Sequence, residues 1–203
     1  YNEIIKYELD VVLYNHSLLD LYCAKQNEVN IHVKFNTGMN RYGFHPNQVE
    51  SIVSKIKNHP HLKLKSICSH LAASDDKNNA DYTLRQINNF KKISKKLSFI
   101  LGKNIDAHLL NSHGVLNFSN YQMQAVRLGI GLYGSATDAN LKQISSLISV
   151  ISQTRDLKRG EHVGYGTTFI AKEKITIGII PVGYADGINR QFSNNIGSVF
   201  VNN

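Results

Sequence analysis

The sequence predicts an α/β fold over roughly its first two thirds and a separate, mainly β segment after it. Three observations carry this reading. Short apolar runs of strand length alternate with stripes of helical spacing from Val11 to about Leu128. Several of the predicted strands end on polar residues, namely Lys34, His70, Asn111 and Arg127. After Gly134 the helical stripes stop and β-rich runs begin. Alternation at short intervals favours parallel strands joined by crossover helices. Both an open doubly wound sheet and a closed barrel meet that description, and both gather functional residues at strand C-termini.

The elements follow in order. Val11 to Tyr14 is a short buried strand, and Leu18 to Cys23 reads as the start of a helix. Val29 to Phe35 alternates, with Ile31, Val33 and Phe35 on one face and His32 and Lys34 on the other. Pro46 suits a first helical turn, and Val49, Ile52, Val53 and Ile56 form one stripe behind it. Leu62 to His70 is a strand. The spacing of Leu84, Ile87, Phe90, Ile93 and Leu97 predicts a long helix from about Asp81 to Phe99, closed by Gly102. Ile105 to Leu110 and Met123 to Leu128 complete five strands. Ala136 to Lys142 is polar and reads as a linker. Ser145 to Leu157, Lys174 to Pro181 and Ile196 to Val201 read as strands of a second domain, with a turn at Lys158-Arg159-Gly160-Glu161.

Composition narrows the function classes. The chain has 203 residues and a net charge of +8. Much of the excess lies in Lys91-Lys92-Ile93-Ser94-Lys95-Lys96, on the outer face of the long helix. A solvated helix face accounts for it, and no nucleic-acid motif accompanies it. No run reaches the ~18 apolar residues of a membrane span. Cys23 and Cys68 are isolated, as structural thiols of a reducing compartment are. No His or Cys spacing suggests a metal site. There is no Gly-x-Ser-x-Gly elbow and no Walker loop. The chain opens on Tyr1 with no basic-then-apolar leader, so an internal segment without a secretion signal is expected.

The most informative stretch is Val33 to Gly43, Val-Lys-Phe-Asn-Thr-Gly-Met-Asn-Arg-Tyr-Gly. It is followed in order by Ser69-His70-Leu71-Ala72, Asn111-Ser112, Arg127-Leu128-Gly129-Ile130-Gly131, Val163-Gly164-Tyr165-Gly166 and Gly183-Tyr184-Ala185-Asp186-Gly187. Together these segments resemble alanine racemase, the pyridoxal-phosphate (PLP) enzyme, over nearly the whole chain. The resemblance decides for the barrel: residues 1–138 as a partial PLP-binding (β/α)8 TIM barrel, and 139–203 as the start of a C-terminal β domain. A whole barrel takes ~250 residues, so the middle of such a protein is expected. The family's cofactor-anchoring lysine motif would lie outside this chain.

The resemblance implies roles, residue by residue. Tyr165 would be a catalytic base, working on one face of the substrate while the anchoring lysine works on the other. A free tyrosine has a pKa of about 10, and His70 and Arg127 would help it act at neutral pH. Arg127 would also face the cofactor's pyridine nitrogen. A guanidinium keeps its proton, so it would hydrogen-bond that nitrogen without protonating it. Asn111, Ser112, Gly129 and Ile130 would cup the phosphate. Arg41 would meet the cofactor's phenolic oxygen and the substrate carboxylate. Lys34 would be carbamylated and orient Arg41, although Asn36 stands where the family often has Asp. Tyr184, Asp186 and Arg190 would line substrate entry.

The implied enzyme is a cytoplasmic bacterial isomerase that interconverts L- and D-alanine and supplies D-alanine for peptidoglycan. It would act as a homodimer whose sites are shared, with Tyr165 and the entry residues supplied by the partner. Fusion to a cell-wall ligase is compatible with the segment. Without its lysine, the segment alone would be inactive. The competing readings are a broader amino-acid racemase acting on serine, a non-catalytic PLP-binding barrel, and a basic nucleic-acid module. The Tyr165 segment argues against the second, and a salt-titrated DNA-binding assay separates the third.

Overall fold

The computed structural model describes residues 1–135, 141–193 and 196–201, in two units, Tyr1–Ile144 and Ser145–Asn203. The boundary expected after residue 138, and most of the Ala136 to Lys142 linker, lie outside the described residues.

In the first unit α1 (Asn2–Lys6) leads into β1 (Val11–Leu13), α2 (His16–Cys23), β2 (Val29–Lys34), α3 (Val49–Lys57) and β3 (Leu62–Cys68). Then come α4 (Ala80–Leu101), β4 (Asp106–Asn111), α5 (Ser112–Asn117) and β5 (Ala125–Arg127). The strands form one parallel sheet in the order β1-β2-β3-β4-β5. Each strand lies beside the next in the chain, with no reversal. An open doubly wound sheet reverses at a switch point, whereas a barrel wall winds this way. The unit is thus a partial barrel.

The alternation read in β2 is realised: Val29, Ile31 and Val33 are buried, while Asn30, His32 and Lys34 are half-buried. The buried face meets the helices. Leu19 and Tyr22 of α2, the stripe Val49, Ile52, Val53 and Ile56 of α3, and Ile87, Phe90, Ile93 and Leu97 of α4 join it in one apolar core. Each such side chain contributes about 1.5–3 kcal/mol when fully buried. Gly102 closes α4 in the left-handed conformation (φ 67°). The sheet's other face carries the polar residues.

Local differences have local causes. α2 is a complete two-turn helix rather than the start of one; Asn15 accepts from Leu18 N and caps it. α5 was not foreseen, because a six-residue helix capped by Asn111 shows no apolar period.

The second unit pairs β6 (Gln153–Leu157) antiparallel with β9 (Ile175–Ile179), and β7 (His162–Val163) with β8 (Phe169–Ile170). The expected strand Ser145 to Leu157 is formed only from Gln153 onward. Residues 196–201 form no strand. β propensity needs a partner strand before it becomes structure. Apart from Ser152 N, which donates to Ile179 O (2.8 Å), no residue of these segments pairs with a strand among the described residues. No helix among the described residues is long and apolar enough to cross a membrane.

Candidate active site

The polar face of the sheet holds a continuous hydrogen-bonded row. Arg127 Nη1 lies 3.3 Å from His108 Nδ1, and His108 Nε2 lies 2.9 Å from Ser66 Oγ. Ser66 Oγ lies 2.5 Å from His32 Nδ1, and His32 Nε2 lies 3.1 Å from Asp10 Oδ2. A register shift makes the row possible. Ile31 pairs with Leu64, but His32 pairs with Ser66, so Lys65 is bulged out and Ser66 faces the histidines.

The ends of the row fix its direction. A guanidinium only donates and a carboxylate only accepts. His108 Nδ1 therefore accepts from Arg127, and His108 Nε2–H donates to Ser66. The Ser66 hydroxyl donates to His32 Nδ1, and His32 Nε2–H donates to Asp10. His108 is neutral in this arrangement. Burial, then the charge of Arg127, holds His108 down to about 4. Asp10 is held below the usual carboxylate range, first by its hydrogen bond from Asn30 and then by His32.

On the other side of Arg127, its Nε donates to His70 Nδ1 at 3.4 Å. Burial, together with Arg127, Lys34 and Arg41, pushes the His70 pKa down. Arg127 is thus held between two uncharged imidazoles. Its charge is retained, its planar fork is oriented, and neither neighbour competes for a negative partner.

Lys34 ends β2, and its pKa is lowered by burial and by Arg127 and Arg41. Beyond it, residues 36–43 make a loop with a pinched neck. Asn36 N donates to Phe44 O (2.9 Å) and Phe44 N to Lys34 O (2.8 Å). Gly43 (φ 129°) lets the strands of the neck meet, since a Cβ there would lie 2.6 Å from Asn36 N. Asn36 Oδ1 accepts from Gly38 N and Asn40 N, shaping the loop from within. Arg41 sits exposed on this loop.

Ser112 begins α5 and is 5% exposed. Its Oγ accepts from Gly129 N (3.1 Å) and Gly131 N (3.0 Å). Two backbone amides thus converge on one oxygen beside Arg127, an arrangement that also suits a phosphate oxygen. A Cβ at Gly131 would come within 3.0 Å of Ser112 Cβ. Ile130 is exposed beside the cradle. Asn111 immediately precedes Ser112. Its carboxamide caps α5 through Gly114 N (2.9 Å) and binds Ser74 Oγ (2.6 Å).

Tyr165, Tyr184, Asp186 and Arg190 belong to the second unit. Tyr165 is fully exposed in the β7–β8 connection, between Gly164 (φ 77°) and Gly166 (φ 80°). Asp186 accepts from Gly183 N (2.9 Å), and the Arg190 guanidinium lies 5.8 Å from the Tyr184 ring. The first unit gathers Lys34, His70 and Arg127 at the ends of β2, β3 and β5, with Ser112 and its cradle just past β4.

Asp10, Ser66 and His108 escaped the sequence reading. The face of His32 was read, but the bulge that aligns Ser66 leaves no sequence signal. No group of three His, Cys, Asp or Glu among the described residues is arranged to hold a metal.

Comparison with known proteins places these features. Residues 1–137 match the family model "Alanine racemase, N-terminal domain", and residues 144–203 match "Alanine racemase, C-terminal domain". The alanine racemase of Fusobacterium nucleatum is 35% identical over 209 aligned positions, covering 99% of this chain and 56% of that protein. That of Rickettsia canadensis is 34% identical over 204, covering 98% and 55%. Among solved structures, the biosynthetic alanine racemase of Pseudomonas aeruginosa is similar at a TM-score of 0.77 and 30% identity, covering 94% of this chain and 54% of that one. The Bartonella henselae alanine racemase with covalently bound pyridoxal phosphate shares the fold (TM-score 0.75, 23% identity, covering 94% and 54%). The chain spans about half the length of the curated relatives it matches.

Proposed function

Because this chain belongs to the alanine racemase family, we propose that it is the central segment of a PLP-dependent enzyme interconverting L- and D-alanine. The observation that carries the proposal is the Arg127 guanidinium held between neutral His70 and His108, beside an oxygen cradle built on Ser112. The residues fit the cofactor. The cradle offers the backbone amides and hydroxyl that a phosphate oxygen takes as donors, and a permanent cation suits a pyridine nitrogen that is to stay unprotonated. When bound, PLP supplies an electron sink that makes the α-hydrogen of an amino acid acidic.

The chain's own residues then have these tasks. Ser112, with the Gly129 and Ile130 segment and Asn111 behind it, holds the phosphate. Arg127 hydrogen-bonds the ring nitrogen without giving up its proton. The row ending at Asp10 orients Arg127 and balances its charge. Arg41 orients the substrate carboxylate. Lys34, its amine made less basic by burial, is proposed to carry a carbamate that steadies Arg41.

Tyr165 is proposed to hold and move the α-proton at its phenolic oxygen, with Tyr184, Asp186 and Arg190 at the substrate entry. In this reading residues 1–138 are barrel and 139–203 the start of the β domain. Tyr165 serves the site of a second copy in a homodimer. The anchoring lysine is left to the rest of the protein, so these 203 residues alone are expected to turn over nothing. The proposed setting is the bacterial cytoplasm, with D-alanine destined for peptidoglycan.

The test is chiral analysis of alanine after the complete protein is incubated with PLP and L-alanine. D-alanine should accumulate until the two enantiomers are equal. Full PLP binding without D-alanine would leave a non-catalytic binder. Racemisation of L-serine at a rate like that of L-alanine would move the reading to a broader racemase.

A further inference from the structure

Beyond Cys68 the pairing of β3 with β4 ends, and Ser69 N, which donates to His108 O (3.2 Å), is the last backbone tie there. His70 lies one residue further on. The backbone around it is held instead by side chains: Asn111 Nδ2 donates to Leu71 O at 3.4 Å, and Gln86 of α4 takes the residues on either side. Gln86 Oε1 accepts from Ala72 N (2.9 Å), and Gln86 Nε2 donates to His70 O (3.2 Å). Gln86 is 1% exposed, a primary amide on the buried face of α4 between Thr83 and the apolar Ile87 and Phe90.

A buried amide left without partners costs about 1–3 kcal/mol. The path of residues 70–72 satisfies its acceptor and one of its donors, and Thr37 Oγ1, 3.5 Å from Nε2, lies beside the other. The same helix grips the neighbouring loop one turn earlier, where the Tyr82 hydroxyl donates to Gly38 O (2.6 Å). The two loops also meet directly through the buried pair Thr37 Oγ1 and Ser69 Oγ, 2.8 Å apart.

We propose that Gln86 is a positioning residue: its carboxamide fixes the backbone of residues 70–72 so that the His70 ring faces Arg127. The proposal rests on the reading of His70 and Arg127 as cofactor-site residues. Gln86 touches neither cofactor nor substrate. It stands in for the missing strand ladder.

The test uses the complete protein with Gln86→Met, which keeps the shape and removes the amide, and Gln86→Glu, which keeps the acceptor for Ala72 N but loses the donor to His70 O. Thr83→Val is the control. Thr83 is buried on the same helix, and its hydroxyl donates to Ala73 O (3.3 Å). The first readout is the His70 titration followed by NMR with labelled histidine in cofactor-free protein. In Gln86→Met it should rise toward the free value as the ring leaves its half-buried place beside Arg127. The second is turnover by the PLP-loaded protein: kcat should fall roughly 10- to 100-fold with KM within about threefold. Gln86→Glu should retain more kcat than Gln86→Met. Thr83→Val should lower Tm and leave the His70 titration in place.

A folded Gln86→Met protein with an unmoved His70 titration overturns the proposal. Should Gln86→Met not fold, a wild-type His70 titration in Gln86→Glu overturns it equally. Failure of the wild-type protein to bind PLP sinks the proposed function instead, while the titration still decides the role of Gln86.

Discussion

Ser66 Oγ lies 2.5 Å from His32 Nδ1 because the β2–β3 register slips by one residue after Ile31. That slip turns isolated polar residues on four strands and a loop into one directed row, running from Arg127 to Asp10. Ser66→Ala breaks it in the middle. His108 then loses the acceptor for Nε2–H, and the row no longer balances Arg127 with Asp10. PLP should bind up to about tenfold more weakly, one lost hydrogen bond being worth about 0.5–1.5 kcal/mol. Titration of the cofactor's absorbance measures it, and wild-type affinity would assign the row no part in holding Arg127.

Stability should depend on pH in the mildly acidic range. His108 is held down to about 4, and His70 is also lowered, so both are neutral in the fold at pH values where unfolded histidine (about 6.5) takes up a proton. The unfolded chain therefore binds more protons than the folded one between about 6.5 and 4. The contribution is fully present above 6.5 and is lost as pH falls toward 4. For rings only half-buried, it is on the order of 1–2 kcal/mol after allowing for solvent screening. Denaturant unfolding at pH 7.5 and 5.0 checks it, and His108→Gln should flatten the difference.

Gly43→Ala should open the neck of the Arg41 loop. The position has φ 129°, and the added methyl would meet Asn36 N at 2.6 Å. Strain of this kind costs roughly 1–3 kcal/mol. A Tm within a degree of wild type would show that the neck relaxes freely. Substrate KM should rise with the loss of Arg41 orientation.

Ser112→Ala removes the acceptor of two backbone amides, Gly129 N and Gly131 N. The loss should weaken PLP about tenfold, as one hydrogen bond to a charged oxygen contributes about 1.5–3 kcal/mol. Free phosphate should stabilise the wild-type protein against heat and lose that effect in the variant. Equal phosphate-dependent shifts would move the anion site elsewhere.

Tyr165→Phe should leave stability within about 0.5 kcal/mol, since the ring is fully exposed. PLP binding should also persist, and racemisation should fall by orders of magnitude. Near-normal rates in both directions would remove Tyr165 from the chemistry.

Much of this was legible before any coordinates. The period-2 pattern of Val29 to Phe35 put His32 and Lys34 on one face, and the stripes of α3 and α4 marked their buried sides. The ordered motifs from Lys34 to Tyr184 carried the family. What stayed hidden depends on register and on single contacts. Ser145 to Ile151 has strand composition but no partner strand among the described residues. The capping of α5 by the Asn111 carboxamide has no signal in the sequence. Gln86 carries no sequence signal of its role, since its partners at Ala72 and His70 lie 14 and 16 residues away.

By itself the sequence determined the five strands of the first unit and the buried stripes of α3 and α4, because side-chain periodicity and hydrophobic burial act over a few residues. Only the tertiary structure decided the unreversed strand order, the bulge that aligns Ser66 with His32, and the pairing of His70 with Arg127. Those depend on distances between segments remote in the chain. An ångström there separates a hydrogen bond from none, and composition carries no record of it.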